Sequence, residues 1–247
     1  MSGGRLGRVR SDSDFSGIWT FAEVAARKLA GTWPVLGDPY FSSVTSLLHF
    51  NGTNGSTTYT DVTGLAWTGH AGSPTINTSQ SVFGGASLRT SAGNYIRANT
   101  PGTAFAYGTG DFTWEGRVRL DSTSSVRYFI DHGTDLGRVI YNGGLRYANP
   151  STGTGSVLYT AAPALSANTW YAIAVSRQSG TTRLFLDGTL VASGADSYNF
   201  GSNTMQLGAT GNGFSGLDGY LDEWRITKGV ARYTANYTPD TAEFQDS

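Results

Sequence analysis

The sequence contains no cysteine and only three histidines among its 247 residues. Disulfides and thiolate metal sites are therefore excluded, and too few imidazoles remain for a zinc cluster. Charged residues are scarce at 14% and the formal net charge is -1, so no whole-chain field draws nucleic acid or an anionic membrane. No apolar run approaches the ~20 residues that span a bilayer, and Met1 to Arg10 lack the apolar core of a secretory signal. Such a chain suits a reducing compartment; if it works outside a cell, it is expected to leave by lysis or within an assembled particle. No ordered Ser-His-Asp set or nucleophile elbow is visible, and His49, His70 and His132 sit in unrelated contexts that read as structural. No repeat of fixed period suggests a propeller or solenoid.

Glycine, by contrast, is abundant at 34 residues, and aromatic residues make up 13%. Short apolar runs separated by Gly, Ser, Thr and Asn predict many strands joined by tight turns. Arg138 to Tyr141 and Leu145 to Tyr147 flank Asn142-Gly143-Gly144, and Arg183 to Leu186 and Thr189 to Val191 flank Asp187-Gly188. Both are hairpin signals, because the favoured turns need positive φ, which Gly and Asn tolerate. Gly188 is accordingly assigned a structural role. From Asp111 to Leu120, Phe112, Trp114, Gly116, Val118 and Leu120 alternate with Thr113, Glu115, Arg117 and Arg119, which predicts one core face and one wet face. Ahead of this region lies an arm with Arg5, Arg8 and Arg10, then Thr20-Phe21-Ala22-Glu23, a capping box with Trp19 and Val24 as its staple. A helix starting at Phe21 and stopped by Gly31 and Pro34 would be too short to persist alone. Trp19, Phe21, Leu29 and Trp33 therefore need a partner surface, either the same chain or another subunit.

A strand Gly219-Tyr220-Leu221-Asp222-Glu223-Trp224-Arg225-Ile226 runs into Thr227-Lys228-Gly229-Val230-Ala231-Arg232-Tyr233-Thr234. In order before it stand Leu47-Leu48-His49-Phe50-Asn51-Gly52, Phe83-Gly84-Gly85-Ala86-Ser87-Leu88, Gly110-Asp111-Phe112-Thr113-Trp114-Glu115, Asn168-Thr169-Trp170-Tyr171-Ala172-Ile173-Ala174-Val175 and Arg183-Leu184-Phe185-Leu186-Asp187-Gly188. Together they resemble the laminin-G-like, concanavalin-A-like jelly roll, in the version common in virion proteins of tailed bacteriophages. The resemblance implies an all-β, antiparallel two-sheet sandwich over 47–247, preceded by an attachment segment over 1–46. It further implies a non-enzymatic virion protein, displayed on tail, baseplate or capsid. That protein would be an oligomer joined to other virion proteins through residues 1–46, with weak binding of a host surface glycan. A dedicated receptor-binding lectin and a glycan hydrolase are the competing classes, since this fold carries all three. Glycanases of the superfamily place acids in a Glu-x-Asp-x-x-Glu arrangement, which the sequence lacks. Its nearest approach, Asp222-Glu223, consists of neighbours expected on opposite strand faces.

Alternation also places Asp222 among Tyr220, Trp224 and Ile226, where a carboxylate needs partners. Backbone N–H groups or an arginine would make it a structural bracket, and a cation would make it a ligand. Asp131-His132-Gly133-Thr134-Asp135 is the loop whose two carboxylates, Asp131 and Asp135, suit calcium, though no cofactor is required. Tyr95, Tyr107, Tyr198, Phe200 and Phe214, beside Gly or Asn, are candidate rings for stacking on sugars, with Asn212 taking hydroxyls.

Overall fold

The computed structural model describes residues 37–91, 93–133, 137–149, 156–159, 164–211, 213 and 215–247. The capped helix and Trp19, Phe21, Leu29 and Trp33 lie outside them, as do Asp135, Asn212 and Phe214. The chain divides into two compact units, Met1–Phe41 with Gln245–Ser247, and Ser42–Phe244. In the smaller unit, Asp38 N donates to Ser247 O at 2.6 Å and Tyr40 N to Asp38 Oδ1 at 2.9 Å.

The larger unit is a sandwich of two antiparallel sheets. Its strands are β1 (Val44–Leu48), β2 (Trp67–His70), β3 (Thr75–Asn77), β4 (Ser87–Thr90), β5 (Tyr95–Ala98), β6 (Phe112–Leu120), β7 (Arg127–Asp131) and β8 (Arg138–Tyr141). They continue with β9 (Leu145–Asn149), β10 (Ser156–Tyr159), β11 (Trp170–Gln178), β12 (Thr181–Leu186), β13 (Thr189–Ala195), β14 (Gln206–Leu207) and β15 (Gly219–Lys228). One sheet runs β13-β12-β11-β6-β15-β4-β3, with β1 also on β15, and the other runs β10-β9-β8-β7-β14-β5-β2. β1 begins at Val44, three residues before the domain start expected at Leu47, and Val44 pairs with Thr227.

The turn signals account for the hairpins. Asp187 and Gly188 both have positive φ, 47° and 76°, between paired Leu186 and Thr189, the two-residue turn that matches strand twist. Ser179 and Gly180 do the same between β11 and β12, at 48° and 73°. Between the sheets, Phe112, Trp114, Val118 and Leu120 of β6 meet Ile96, Phe129, Ile130, Val139, Tyr147 and Leu207. Gly116 interrupts this apolar row because the Trp224 indole lies across it; a Cβ there would sit 2.6 Å from the ring.

Strand β15 departs from plain alternation. Glu223 has φ 49° and the register against β6 shifts between Asp222 and Arg225, a β-bulge in which one extra residue changes the phase of the side chains. Leu221, Trp224 and Ile226 enter the core. Asp222 therefore does not share a face with Trp224 and Ile226, as simple alternation predicts. Nor do Asp222 and Glu223 point to opposite faces, since both project from the outer side. The charged face of β6 is not wet either: Thr113 and Glu115 are buried.

Candidate functional site

The cover over that charged face is the chain's own tail, 229–244. Glu115 Oε1 takes Arg225 Nε at 2.9 Å, its Oε2 accepts from the Tyr233 hydroxyl at 2.7 Å, and Arg232 Nε stands 3.6 Å away. Tyr233 and Tyr237 stack at 3.6 Å with their edges toward Phe185, and Phe244 lies 3.8 Å from the Arg225 guanidinium. Burial and the Glu115 charge raise the Tyr233 phenol above its ordinary range. Glu223 accepts from Phe244 N at 2.9 Å and lies 2.7 Å from His49 Nδ1. A cavity of only about 10 Å³ remains beneath the tail, at the lower limit for one water. A glycosidase needs two acids facing one groove across a glycosidic bond. Here Glu115 and Glu223 are buried, hydrogen-bonded and roofed over.

Asp222 Oδ2 accepts from Val82 N at 2.7 Å and Phe83 N at 3.3 Å, which ties the 82–83 loop to β15. Burial pushes its carboxyl up to about 7, the two N–H donors pull it down, and the Glu223 charge raises it. The folded state thus holds this proton to higher pH than the unfolded chain. The stabilising contribution is complete below about pH 4 and is lost as pH rises through about 7. Asp131, pushed up by burial to about 6, adds to the same slope at its lower end. Urea midpoints should fall between pH 5 and pH 8, and Asp222→Asn should flatten that fall; an unchanged slope in the variant would assign it to other groups. Asp222→Ala, which orphans both N–H donors, should cost about 2–3 kcal/mol at pH 5.

The outer face of the seven-stranded sheet is built differently. Register aligns Thr68, Arg97, Gln206, Asp131, Arg138 and Ala148 across β2, β5, β14, β7, β8 and β9. Their sequence neighbours Ile96, Leu207, Ile130, Val139 and Tyr147 fill the core, so the row projects outward. Arg138 Nε lies 3.2 Å from Asp131 Oδ2, too oblique for a hydrogen bond, and its guanidinium stands 5.5 Å from the Tyr128 ring. At the other end of the row, His70 and Tyr95 stack at 5.2 Å, and the Tyr95 hydroxyl donates to Gly211 O at 2.8 Å. Gln206 Nε2 donates to Thr204 Oγ1 at 3.0 Å. Gln206 Oε1 and His70 Nε2 are buried without a hydrogen-bond partner among the described residues, and Asp131 is buried with Arg138 and the Gly133 backbone as its neighbours. Such atoms are rare in folded proteins, and with no accessible surface of their own they lie beneath the outer face, not on it.

The rings expected to hold sugar are distributed otherwise. Tyr107 is 5% and Phe200 1% exposed; they meet edge-on inside the sandwich, where Trp114 Nε1 donates to the Tyr107 hydroxyl. Neither offers a stacking face. Tyr198 is half-buried, edge-on to Phe200 at 4.7 Å. The loops carrying them are drawn inward by Arg177, a fully buried side chain that donates to the carbonyls of Gly110, Tyr198 and Gly108 at 2.7–2.8 Å. Of the expected residues, Tyr95 and Asp131 lie on the outer side of this sheet, but at 5% and 1% exposed they too are covered. For the calcium expectation, Asp131 has the Arg138 guanidinium beside it, while Asp135 lies outside the described residues. Arg97, Arg138, Gln206, His70 and Tyr128 were not singled out as binding residues by sequence; the alternation of Tyr95 and Arg97 with Ile96 and Ala98 was the available signal for Arg97.

No curated protein sequence matches the chain. Among solved structures, domain 4 of AbnA, a GH43 extracellular arabinanase from Geobacillus stearothermophilus in complex with arabinotriose, superposes with a TM-score of 0.59 at 16% identity. The match covers 76% of this chain and 94% of that one. The binding domain of Paraclostridial Mosquitocidal Protein 1 gives 0.59 at 14% identity over 77% of this chain and 50% of its own. Trypanosoma rangeli sialidase gives 0.51 at 11% identity over 81% of this chain and 31% of its own. The chain thus spans half of the toxin domain and a third of the sialidase, and at these identities the likeness is one of fold. The family described as the Concanavalin A-like lectin/glucanases superfamily matches residues 90–232. This match covers more than half of the sequence, and with the two-sheet sandwich it places the chain as a member of that superfamily.

Proposed function

We propose that this chain is a non-enzymatic, lectin-like module that binds carbohydrate on the outer face of its seven-stranded sheet. The observation that carries this reading is the polar outer face along the transverse row, where the guanidinium groups of Arg97 and Arg138 are part-exposed beside the part-exposed rings of His70 and Tyr128. Rings and hydrogen-bonding side chains on one rigid surface are what a sugar requires. The similarity to arabinanase domain 4, solved with arabinotriose, supports the same reading. Against hydrolysis stands the sealed, saturated state of Glu115 and Glu223. The full chain on a glycan array should retain a subset of sugars and release no reducing ends from them. Sustained turnover, or an array with no bound glycan, would refute it. Chelator should leave binding unchanged, because Asp131 already faces a guanidinium.

The setting we propose is a bacteriophage virion, with residues 1–46 as the attachment segment of an oligomeric display protein. It rests on the sequence resemblance and on Trp19, Phe21, Leu29 and Trp33 in a segment too short to stand alone. Replacing those four residues by serine should abolish incorporation into particles while leaving glycan binding intact.

A further inference from the structure

The charge of the outward face points to the class of sugar. On β5, β7, β8 and β9 the outward charged residues are Arg97, Arg138 and Arg146 against Asp131 alone. The face is therefore cationic on a chain whose net charge is -1. Arg138 is spoken for by Asp131, and Arg146 Nη2 donates to Asn142 O at 2.8 Å. Arg97 has neither a hydrogen bond nor an ion pair among the described residues, although its backbone is held one strand in from the sheet edge by Thr68 and Gln206 on either side. A guanidinium with its donors free and its backbone fixed is preorganised for a planar anion, which it grips with two parallel N–H bonds. Strand spacing of ~4.8 Å puts Arg97 and Arg138 about 14 Å apart at the backbone. Between them Gln206 and Asp131, 3% and 1% exposed, underlie the face without reaching its surface. The face thus offers one unpaired guanidinium, Arg97, within a field of net positive charge.

We propose that this face recognises an acidic polysaccharide of the hexuronate class. Arg97 takes a sugar carboxylate, and the positive field of Arg138 and Arg146 favours further acidic units along the face. The inference rests on the carbohydrate-binding reading above and names the ligand class for the same site.

The test is calorimetric titration of the full chain with oligogalacturonate and with its methyl ester, which keeps the backbone and removes the charge. The acid should bind at least tenfold tighter than the ester. Arg97→Gln should cost about tenfold on the acid and clearly less on the ester, with the melting temperature unchanged, since Arg97 supports no internal bond. Equal affinity for acid and ester, or binding of neutral arabinan only, would overturn the uronate assignment while the carbohydrate reading stood. Equal affinity for polyphosphate would reduce the effect to general polyanion attraction and overturn it too. A chain that binds none of these and no sugar on the array would defeat the broader reading as well.

Discussion

Gly188→Val is expected to destabilise the sandwich by about 3–5 kcal/mol, through two independent causes acting at one atom. The first is local: Gly188 has φ 76°, and a β-branched residue in that region costs roughly 1–2 kcal/mol. The second comes from the tail. A Cβ at this position would stand 2.0 Å from Tyr237 O and 2.9 Å from Pro239 Cδ, so the strap that seals the eight-stranded sheet must lift. Tyr237 N donates to Gly188 O at 2.9 Å, and the Tyr237 ring is stacked on Tyr233 and packed on Phe185. Displacing it therefore loosens contacts well beyond the turn. For a domain of this size the melting temperature should fall by about 10 °C, at roughly 2–4 °C per kcal/mol. Gly143→Asn is the matched control. Gly143 also has positive φ, 67°, but nothing lies near its Cβ position, and Asn tolerates that backbone; its melting temperature should hold within a degree or two. Equal melting of Gly188→Val and the wild type would remove both the turn assignment and the tail contact.

Glu115→Ala should be comparably severe, at about 3–5 kcal/mol, because it removes the buried carboxylate that Arg225, Arg232 and the Tyr233 hydroxyl share. Arg225 and Arg232 are 6% and 7% exposed at the side chain, and the Tyr233 hydroxyl loses its acceptor. Glu115→Gln keeps an acceptor and drops the charge, so it should cost clearly less. Limited proteolysis should cut the alanine variant first between residues 229 and 244, where the tail is no longer pinned, and chemical denaturation gives the magnitude. Glycan affinity per folded molecule should be unchanged, because the network lies on the sheet opposite the polar row. A variant that melts normally would show that the carboxylate is dispensable and that the tail is held by its aromatic stack alone.

Most of the fold was legible because its signals are local. Asn142-Gly143-Gly144 and Asp187-Gly188 announce turns through the φ values only such residues accept, and Phe112 to Leu120 announces a half-buried strand through strict alternation. Asp222 was misplaced because a bulge at Glu223 is not a property of that residue. It arises where β15 leaves β4 and takes up β1 along one edge, a long-range event that no local pattern announces. The same holds for the tail, whose Arg232, Tyr233 and Phe244 acquire meaning only beside Glu115 and Glu223. Tyr107 and Phe200 were read as loop rings from their Gly and Asn neighbours. What carries them into the core is Arg177, whose role depends on carbonyls far away in sequence. The polar row was the least legible element: one of its members sits on a two-residue strand, Gln206–Leu207, and the row exists only once β5, β14, β7 and β8 are in register.

The central claim is that sugar binds the outer face of the seven-stranded sheet and not the face beneath the tail. Amide chemical-shift mapping of the full chain tests it most directly, with whichever of oligogalacturonate and arabinotriose binds more tightly. Shifts should concentrate in Tyr95–Ala98, Arg127–Asp131, Arg138–Tyr141 and Gln206–Leu207, with 229–244 silent. Shifts centred on the tail and on Phe112–Leu120, with the polar row unmoved at saturation, would contradict the account.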